Sequence, residues 1–161
     1  MKVIDNFLDK TYFNTLKDTL SGLDFEWYIS NILNEVKTPF KDFQFIHNFY
    51  RNNLPTKNYP LIDPLIEKIK PFSLVKSKAN LLVRTHKIIE HGFHTDFNKI
   101  KNLTTGILYI NTCNGYTKFE DGSIVKSVEN RFVYFDSNIK HTGSSCTDEK
   151  FRIVLNLNYF I

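Results

Sequence analysis

Near its C-terminal end the sequence reads Phe-Arg-Ile-Val-Leu-Asn-Leu-Asn-Tyr at residues 151–159. Apolar and polar side chains alternate there, which predicts a β-strand, because successive side chains of a strand point to opposite faces. One face then carries Arg152, Val154, Asn156 and Asn158. The other carries Phe151, Ile153, Leu155 and Leu157. We expect the first set to face the mouth of a barrel and the second to pack against helices.

Most of the chain upstream also has the pattern of short strands, rich in aromatic and β-branched residues and bounded by turn residues. We predict strands at residues 25–29, 43–50, 80–85, 88–94, 104–110, 117–120, 123–126 and 131–135. The pair Asp121-Gly122 between two of these strands predicts a two-residue hairpin.

Two helices are predicted in the N-terminal part. Apolar residues spaced by three and four predict a helix over residues 8–20, which Asp9 or Thr11 can cap and Gly22 can end. A second, short helix is predicted over residues 62–69, where Pro71 stops it. The sequence therefore predicts a mainly β barrel or sandwich with N-terminal helices packed on one sheet. We expect one domain, 1–161, in which residues 1–78 support a core of residues 79–161.

The composition narrows the class of protein. The 161 residues suffice for one domain with its own core, and an aromatic content of 15% favours β-rich structure. A net charge of +4 with scattered lysines argues against nucleic-acid binding but permits a local basic cluster to attract an anion. No apolar run of about 18 residues and no signal-peptide core occur, so we expect a cytoplasmic protein without a membrane span. Cys113 and Cys146 lack disulfide-framework spacing and are predicted to be free thiols.

The motif His91-Gly92-Phe93-His94-Thr95-Asp96-Phe97 sets an imidazole and a carboxylate two residues apart at the end of a predicted strand. On a strand both side chains point to one face, whereas on a helix they would be nearly opposite. His141, which follows the strand at 131–135, is the best candidate for a third ligand. Two histidines and one carboxylate leave three coordination positions open, which suits non-heme iron(II) and dioxygen. A closed zinc site would use more cysteine or histidine.

Arg152 is the second unusual feature. The chain has 17 lysines and only four arginines, and this arginine lies inside the most apolar predicted strand. Burial of a guanidinium is costly unless a carboxylate pairs with it. Its planar fork binds a carboxylate through two hydrogen bonds. The sequence therefore predicts that Arg152 binds a carboxylate.

Residues 80–161, about half of the chain, resemble the 2-oxoglutarate oxygenase superfamily and its prolyl 4-hydroxylase-like branch, including short phage and bacterial members. The His-x-Asp pair, the distal histidine and the following arginine occur in that family's order and spacing. Residues 105–111 are similar to the strand whose tyrosine binds the far carboxylate of 2-oxoglutarate, and Tyr109 matches that tyrosine. Residues 114–119 resemble the family's Gly-Gly-x-Thr-x-Phe turn, and 130–135 resemble the strand before the distal histidine.

The resemblance implies a double-stranded β-helix, that is, a jelly-roll or cupin-like barrel. It implies that His94, Asp96 and His141 bind Fe(II) and form the catalytic centre, and that Arg152 and Tyr109 bind the cosubstrate 2-oxoglutarate. Dioxygen is the second cosubstrate, with ascorbate as an optional addition. The implied activity is that of an oxidoreductase that hydroxylates an unidentified peptide or small molecule and releases succinate and CO2.

Several positions depart from the family pattern. Tyr116 replaces the second glycine of the turn, and His91 stands where prolyl hydroxylases often have tyrosine. Arg84 and Thr85 occupy the region of a further tyrosine. These departures do not affect the predicted metal ligands. They leave the identity of the substrate undecided between a prolyl residue, a free amino acid, another metabolite and a nucleobase. We expect the N-terminal ~75 residues and the loops at 47–59 and 97–103 to shape its pocket.

Two other functions fit the same residues. The first is a cupin-like metal-binding protein or metalloenzyme that does not use 2-oxoglutarate. In that case Arg152 pairs with an acidic side chain and Tyr109 is a core aromatic residue. The second is a barrel that binds its ligand without turnover. The oligomeric state and the roles of Arg84 and His91 stay open.

Overall fold

The computed structural model describes residues 1–32, 42–97 and 99–161. The elements in these ranges are, in chain order, β1 (Lys2–Ile4), α1 (Lys10–Ser21), β2 (Tyr28–Asn31), β3 (Phe43–Arg51), β4 (Leu54–Pro55), a 3-10 helix (Tyr59–Ile62), α2 (Asp63–Ile69), β5 (Ser73–Val83), β6 (Leu103–Tyr109), β7 (Tyr116–Phe119), β8 (Ile124–Lys126), β9 (Arg131–Asp136), β10 (His141–Gly143) and β11 (Phe151–Phe160).

The strands form two antiparallel sheets. In the described ranges the large sheet has the order β1-β9-β6-β11-β5-β3-β2, with β4 paired to β3, and the small sheet has the order β10-β7-β8. Side chains from both sheets line one cavity, among them Thr117 of β7, His141 of β10 and Arg152 of β11. The two sheets therefore face each other as the layers of a jelly-roll. The predicted mainly β fold class is confirmed.

The helices pack on the outer face of the large sheet, as predicted. Leu16 and Leu20 of α1 and Leu65 of α2 belong to one buried cluster with the outward apolar residues of β11. Those residues are Ile153, Leu155, Leu157 and Tyr159. Arg152, Val154 and Asn156 line the cavity on the opposite face, so the alternation predicted for this strand is confirmed.

Helix α1 spans Lys10–Ser21 where 8–20 was predicted, and of the two predicted caps Asp9 is the one that begins it. The backbone N–H groups of Thr11 and Tyr12 donate to the Asp9 side chain at 2.9 and 3.1 Å, which satisfies two N–H groups that lack partners within the helix. The helix ends at Gly22, whose N–H donates to the Thr19 carbonyl. No helix in the described ranges is long and apolar enough to cross a membrane.

The predicted strand at 88–94 is wrong. Glu90 and His94 each form an isolated bridge, to Ser144 and His141, and no continuous ladder joins them. Gly92 lies between the two bridges with a φ of +89°, a conformation that interrupts an extended strand. His91 N–H also donates to the Gly143 carbonyl at 3.2 Å, so the segment lies beside the small sheet without forming a regular strand pair.

Other predicted elements have different boundaries in the structure. The strand predicted at 25–29 is β2, Tyr28–Asn31, and the one predicted at 80–85 is the end of a longer strand, β5. The expected division between residues 78 and 79 therefore falls inside β5. The predicted hairpin at Asp121-Gly122 is present, but its loop exceeds two residues, because β7 ends at Phe119 and β8 begins at Ile124. Both cysteines are buried free thiols, as predicted.

Candidate metal centre

Three side chains that are far apart in sequence meet at one point in the fold. One ligand atom each of His94, Asp96 and His141 lies within 4.8 Å of the others. The backbones of the two histidines form the bridge between segment 88–94 and β10, since His94 N–H donates to the His141 carbonyl at 3.0 Å and His141 N–H returns a bond of 2.9 Å. Asp96 follows two residues later, so a single pair of backbone bonds sets the spacing of all three groups.

The second nitrogen of each imidazole is held by a backbone carbonyl. Nδ1 of His141 is 3.1 Å from the Ile139 carbonyl oxygen, and Nδ1 of His94 is 3.3 Å from that of Gly92. A carbonyl only accepts, so each Nδ1 carries a proton, which leaves Nε2 as the nitrogen that can bind a metal. Burial lowers the pKa of His141, which favours the neutral form.

The Asp96 carboxylate is oriented by two donors. The Thr105 hydroxyl and the Asn158 side-chain amide both donate to Oδ2 at 2.9 Å, so Oδ1 is the oxygen that a metal would bind. Burial acts to raise the pKa of Asp96, but His141, these hydrogen bonds and His94 outweigh burial and hold the pKa below its ordinary value. The carboxylate is therefore ionised at neutral pH.

Sequence reasoning did not identify Thr105 as part of this centre, and it predicted for Asn158 only that it faces the mouth of the barrel. The two residues are directly opposite each other in the register of β6 and β11. Their shared face follows from strand parity, but their pairing with Asp96 depends on which strands are neighbours. The donor set itself, two imidazole nitrogens and one carboxylate oxygen held by backbone and side-chain partners, fits iron(II) with open coordination positions.

Arg152 is buried in the same cavity, with 3% of its surface exposed. Its donors reach neutral acceptors: Ser127 Oγ at 2.6 Å, Thr117 Oγ1 at 3.2 Å and the Ser144 carbonyl at 3.4 Å. No carboxylate within residues 1–32, 42–97 and 99–161 forms an ion pair with it. Burial lowers its pKa, with the Tyr109 side chain acting in the opposite direction. A structural ion pair for Arg152 is thus not seen in the described chain.

Tyr109 lies beside Arg152 but behind the cavity wall. Its ring centroid is 5.5 Å from the guanidinium carbon, and its hydroxyl donates to Thr117 Oγ1 at 2.8 Å. The side chain is fully buried and is not among the described residues that line the cavity, whereas Thr117 is. Burial raises the pKa of Tyr109, so its hydroxyl is neutral. The part of Tyr109 in cosubstrate binding stays a prediction.

The cavity between the two sheets has a largely polar lining near the metal centre. Besides the residues above, the described lining includes Gln44, Lys78, Asn80, Leu82, His91, Ile107, Gly143, Val154 and Asn156. Ile32, Gln44 and Lys78 come from the predicted N-terminal support, residues 1–78. The loops predicted to shape the pocket, 47–59 and 97–103, contribute no described lining residue, and residue 98 lies outside the described part. Arg84 is exposed and does not line the cavity, whereas His91 does.

Comparison with known proteins shows which solved structures have a similar fold. No family model and no curated protein sequence matches the chain. A prolyl hydroxylase from Trichoplax adhaerens, solved with a hypoxia-inducible factor peptide fragment, superposes with a TM-score of 0.69 at 16% identity, over 99% of this chain and 82% of that one. A Pseudomonas putida prolyl-4-hydroxylase gives a TM-score of 0.59 at 14% identity, over 99% and 92%.

HygX from Streptomyces hygroscopicus, solved with nickel and 2-oxoglutarate bound, gives a TM-score of 0.64 at 8% identity, over 98% of this chain and 81% of that one. At such identities the likeness concerns the fold. The chain has the fold of the 2-oxoglutarate oxygenases, prolyl hydroxylases among them, and the resemblance read from residues 80–161 is confirmed at that level.

Proposed function

We propose that this chain is an Fe(II)- and 2-oxoglutarate-dependent oxygenase that hydroxylates a peptide or small-molecule substrate. The observation that carries the proposal is the buried guanidinium of Arg152, which lacks an acidic partner in the described chain and lines the same cavity as His94, Asp96 and His141. The similar fold of solved 2-oxoglutarate oxygenases supports it.

The electrostatics of Arg152 explain why an anionic cosubstrate is needed. Removing a guanidinium from water costs several kcal/mol, and hydroxyl and carbonyl acceptors offset only part of that cost. A carboxylate that enters the cavity supplies the missing charge and accepts two parallel N–H bonds. Ser127 and Thr117 hold the side chain by Nε and Nη2, so the guanidinium is oriented before the ligand arrives.

The metal-binding residues have a separate part in the proposed reaction. His94 and His141 would bind iron(II) through Nε2 and Asp96 through Oδ1. Bound together, iron(II), 2-oxoglutarate and dioxygen supply the oxidising chemistry that hydroxylates a C–H bond and yields succinate and CO2. The chain contributes binding, orientation and exclusion of water, since Asp96, His141 and Arg152 are held between the two sheets.

The test is a calorimetric titration of 2-oxoglutarate into protein loaded with Mn(II), which replaces iron without turnover. We expect one equivalent to bind the wild type, and Arg152→Met to abolish binding. Arg84→Met serves as the matched control, because Arg84 is exposed and absent from the cavity lining. Wild-type protein that binds Mn(II) but not 2-oxoglutarate would refute the proposal in favour of a cupin-like metal protein.

Turnover is tested separately. Succinate formation in the presence of Fe(II), dioxygen and 2-oxoglutarate separates an enzyme from a barrel that only binds these ligands. We expect slow succinate formation without substrate and faster formation with it. Binding of 2-oxoglutarate without any succinate would support the binding module and contradict the enzyme.

A further inference from the structure

We propose that the substrate is a small molecule with a free carboxylate, bound by Lys78, and with a hydrogen-bond donor close to it, as in a free amino acid or a hydroxy acid. This inference rests on the proposed function, because it assumes that 2-oxoglutarate occupies Arg152.

Lys78 is the second cation of the cavity. It lies in the middle of β5, directly opposite Asn156 of β11, and its side chain is half-buried in the cavity wall. Within the described ranges no carboxylate forms an ion pair with it. Burial lowers the pKa of Lys78 to about 8, with Lys76 acting in the same direction and Asp96 in the opposite one. Lys78 is therefore still mainly protonated at neutral pH, although its burial disfavours the charged form.

With iron(II) and 2-oxoglutarate bound, the cavity would carry a net positive charge that one more anion would neutralise. Lys78, Arg152 and a divalent iron carry four positive charges, and Asp96 carries one negative charge. The dianion 2-oxoglutarate supplies two more negative charges, so one positive charge is left. A cavity between two sheets screens that charge poorly, which favours a substrate with a single carboxylate.

Two buried amide oxygens indicate that the ligand also carries a hydrogen-bond donor. Oδ1 of Asn80 and Oδ1 of Asn156 have no hydrogen-bond partner in the described chain, and both residues line the cavity. They neighbour Lys78, since Asn80 is two residues along β5 and Asn156 is opposite it. Buried acceptors are normally satisfied, so these oxygens call for a donor on the ligand. An ammonium or hydroxyl group next to a carboxylate supplies one.

A prolyl residue inside a polypeptide does not meet these requirements. Its carboxyl group is part of a peptide bond and its nitrogen carries no hydrogen, so it offers neither the negative charge nor the donor. A nucleobase lacks the carboxylate. Among the substrate classes that the sequence leaves open, a free amino acid or a related hydroxy acid fits the lining best.

The first experiment separates Lys78 from the cosubstrate. In calorimetric titrations of Mn(II)-loaded protein, Lys78→Met should change the Kd for 2-oxoglutarate by less than about twofold, whereas Arg152→Met abolishes binding. A loss of 2-oxoglutarate affinity in Lys78→Met as severe as in Arg152→Met would show that Lys78 binds the cosubstrate and would overturn the proposal. If the wild type binds no 2-oxoglutarate, the proposed function fails and this inference fails with it.

The second experiment tests the substrate class. Succinate formation is measured with the free L-amino acids, with simple 2-hydroxy acids, with the N-acetyl amides of the same amino acids and with a peptide containing internal prolines. We expect at least one free acid to raise the rate above the substrate-free level and its blocked counterpart to have no effect. Lys78→Met should raise the apparent KM for that acid more than about tenfold.

Two variants control for charge and folding. Lys78→Arg should keep most of the response, because it keeps the charge, and its circular dichroism melt shows whether substitution at this position disturbs the fold. Lys87→Met removes an exposed lysine outside the described lining and should leave the response unchanged. Stimulation by the prolyl peptide alone, equal stimulation by free and blocked acids, or no response to any acid in protein that binds 2-oxoglutarate would each overturn the proposal.

Discussion

The side-chain amide of Asn158 donates to Oδ2 of Asp96 at 2.9 Å, and so joins the C-terminal strand to the proposed metal centre. Thr105 donates to the same oxygen, and Asn158 also donates to the Thr105 hydroxyl at 3.0 Å. The three side chains thus form a closed hydrogen-bonded set. Its consequence is that the Asp96 carboxylate has one defined orientation before any metal binds.

Loss of either donor should weaken metal binding. We expect Thr105→Val and Asn158→Ala to reduce the affinity for Mn(II) by about 10- to 100-fold, because the partners of a ligating carboxylate set its orientation. Isothermal titration measures the affinity. Thr104→Val is the matched control, since Thr104 is on the opposite face of β6. Unchanged affinity in both test variants would show that Asp96 needs no such support.

Loss of a proposed ligand should have a larger effect. His94→Ala, Asp96→Ala and His141→Ala should each abolish iron-dependent turnover of 2-oxoglutarate, because two ligands do not hold iron(II) in an open site. Succinate release and metal content of the purified variants are the measurements. His86→Ala, which changes an exposed histidine, should behave as the wild type. Full activity in any of the three variants contradicts the assigned ligand set.

The planar geometry of the Arg152 guanidinium, and not only its charge, should determine the affinity for 2-oxoglutarate. Arg152→Lys keeps the charge but loses the paired N–H bonds, so the Kd for 2-oxoglutarate should rise about tenfold or more. The wild type, at a cosubstrate concentration of about 100 times Kd, should gain about 2.7 kcal/mol of stability. Thermal unfolding with and without 2-oxoglutarate measures both effects. Equal stabilisation of wild type and Arg152→Lys would indicate that the cosubstrate binds elsewhere.

Gly115 keeps space for Arg152. A Cβ at this position would lie 2.6 Å from Cδ of Arg152 and 2.9 Å from the Ser145 carbonyl oxygen. Gly115→Ala should therefore displace the guanidinium and weaken 2-oxoglutarate binding while Mn(II) affinity stays the same. Gly122→Ala is the contrasting variant: Gly122 has a φ of +87° and open space around it, so alanine should cost about 1 kcal/mol of stability without affecting the cosubstrate. Calorimetry with both ligands distinguishes the two variants.

The ion pair between Asp5 and Arg131 should make stability depend on pH. Arg131 donates to both carboxylate oxygens, at 2.6 and 3.0 Å, and this hydrogen bonding holds the pKa of Asp5 below its ordinary value. A lowered pKa means that the stabilisation is present above the unfolded pKa of about 3.9 and is lost as the pH falls through the folded value. Both groups are partly exposed, so the effect is small.

Asp5→Asn should therefore lower the Tm slightly at pH 7, and the difference from the wild type should shrink at about pH 3. Thermal unfolding followed by circular dichroism at the two pH values measures it. Asp24→Asn, which changes an exposed aspartate that makes no described ion pair, is the control. A difference that is the same at both pH values would show that the pair does not stabilise the fold.

Local patterns were enough to predict several elements of the fold. The alternation along residues 151–159 predicted which side chains of β11 line the cavity and which pack on the helices, because strand parity is a property of the backbone itself. The start and end of α1 at Asp9 and Gly22 followed from capping chemistry in the same way. The spacing of His94, Asp96 and His141, together with the family resemblance, predicted a ligand set whose members the fold brings together.

The strand predicted at 88–94 failed because a strand requires a partner, and pairing with the small sheet is a long-range event that Gly92 limits to isolated bridges. Long-range register also decided that Thr105 and Asn158 hold Asp96, and that the Tyr109 hydroxyl meets Thr117 behind the cavity wall. Spacing along the chain does not encode which residues end up opposite one another across a sheet. The same holds for Arg152, which has no acidic partner in the described chain. Which side chains lie near its guanidinium depends on how the sheets pack, so only the tertiary structure shows that an acidic partner is missing.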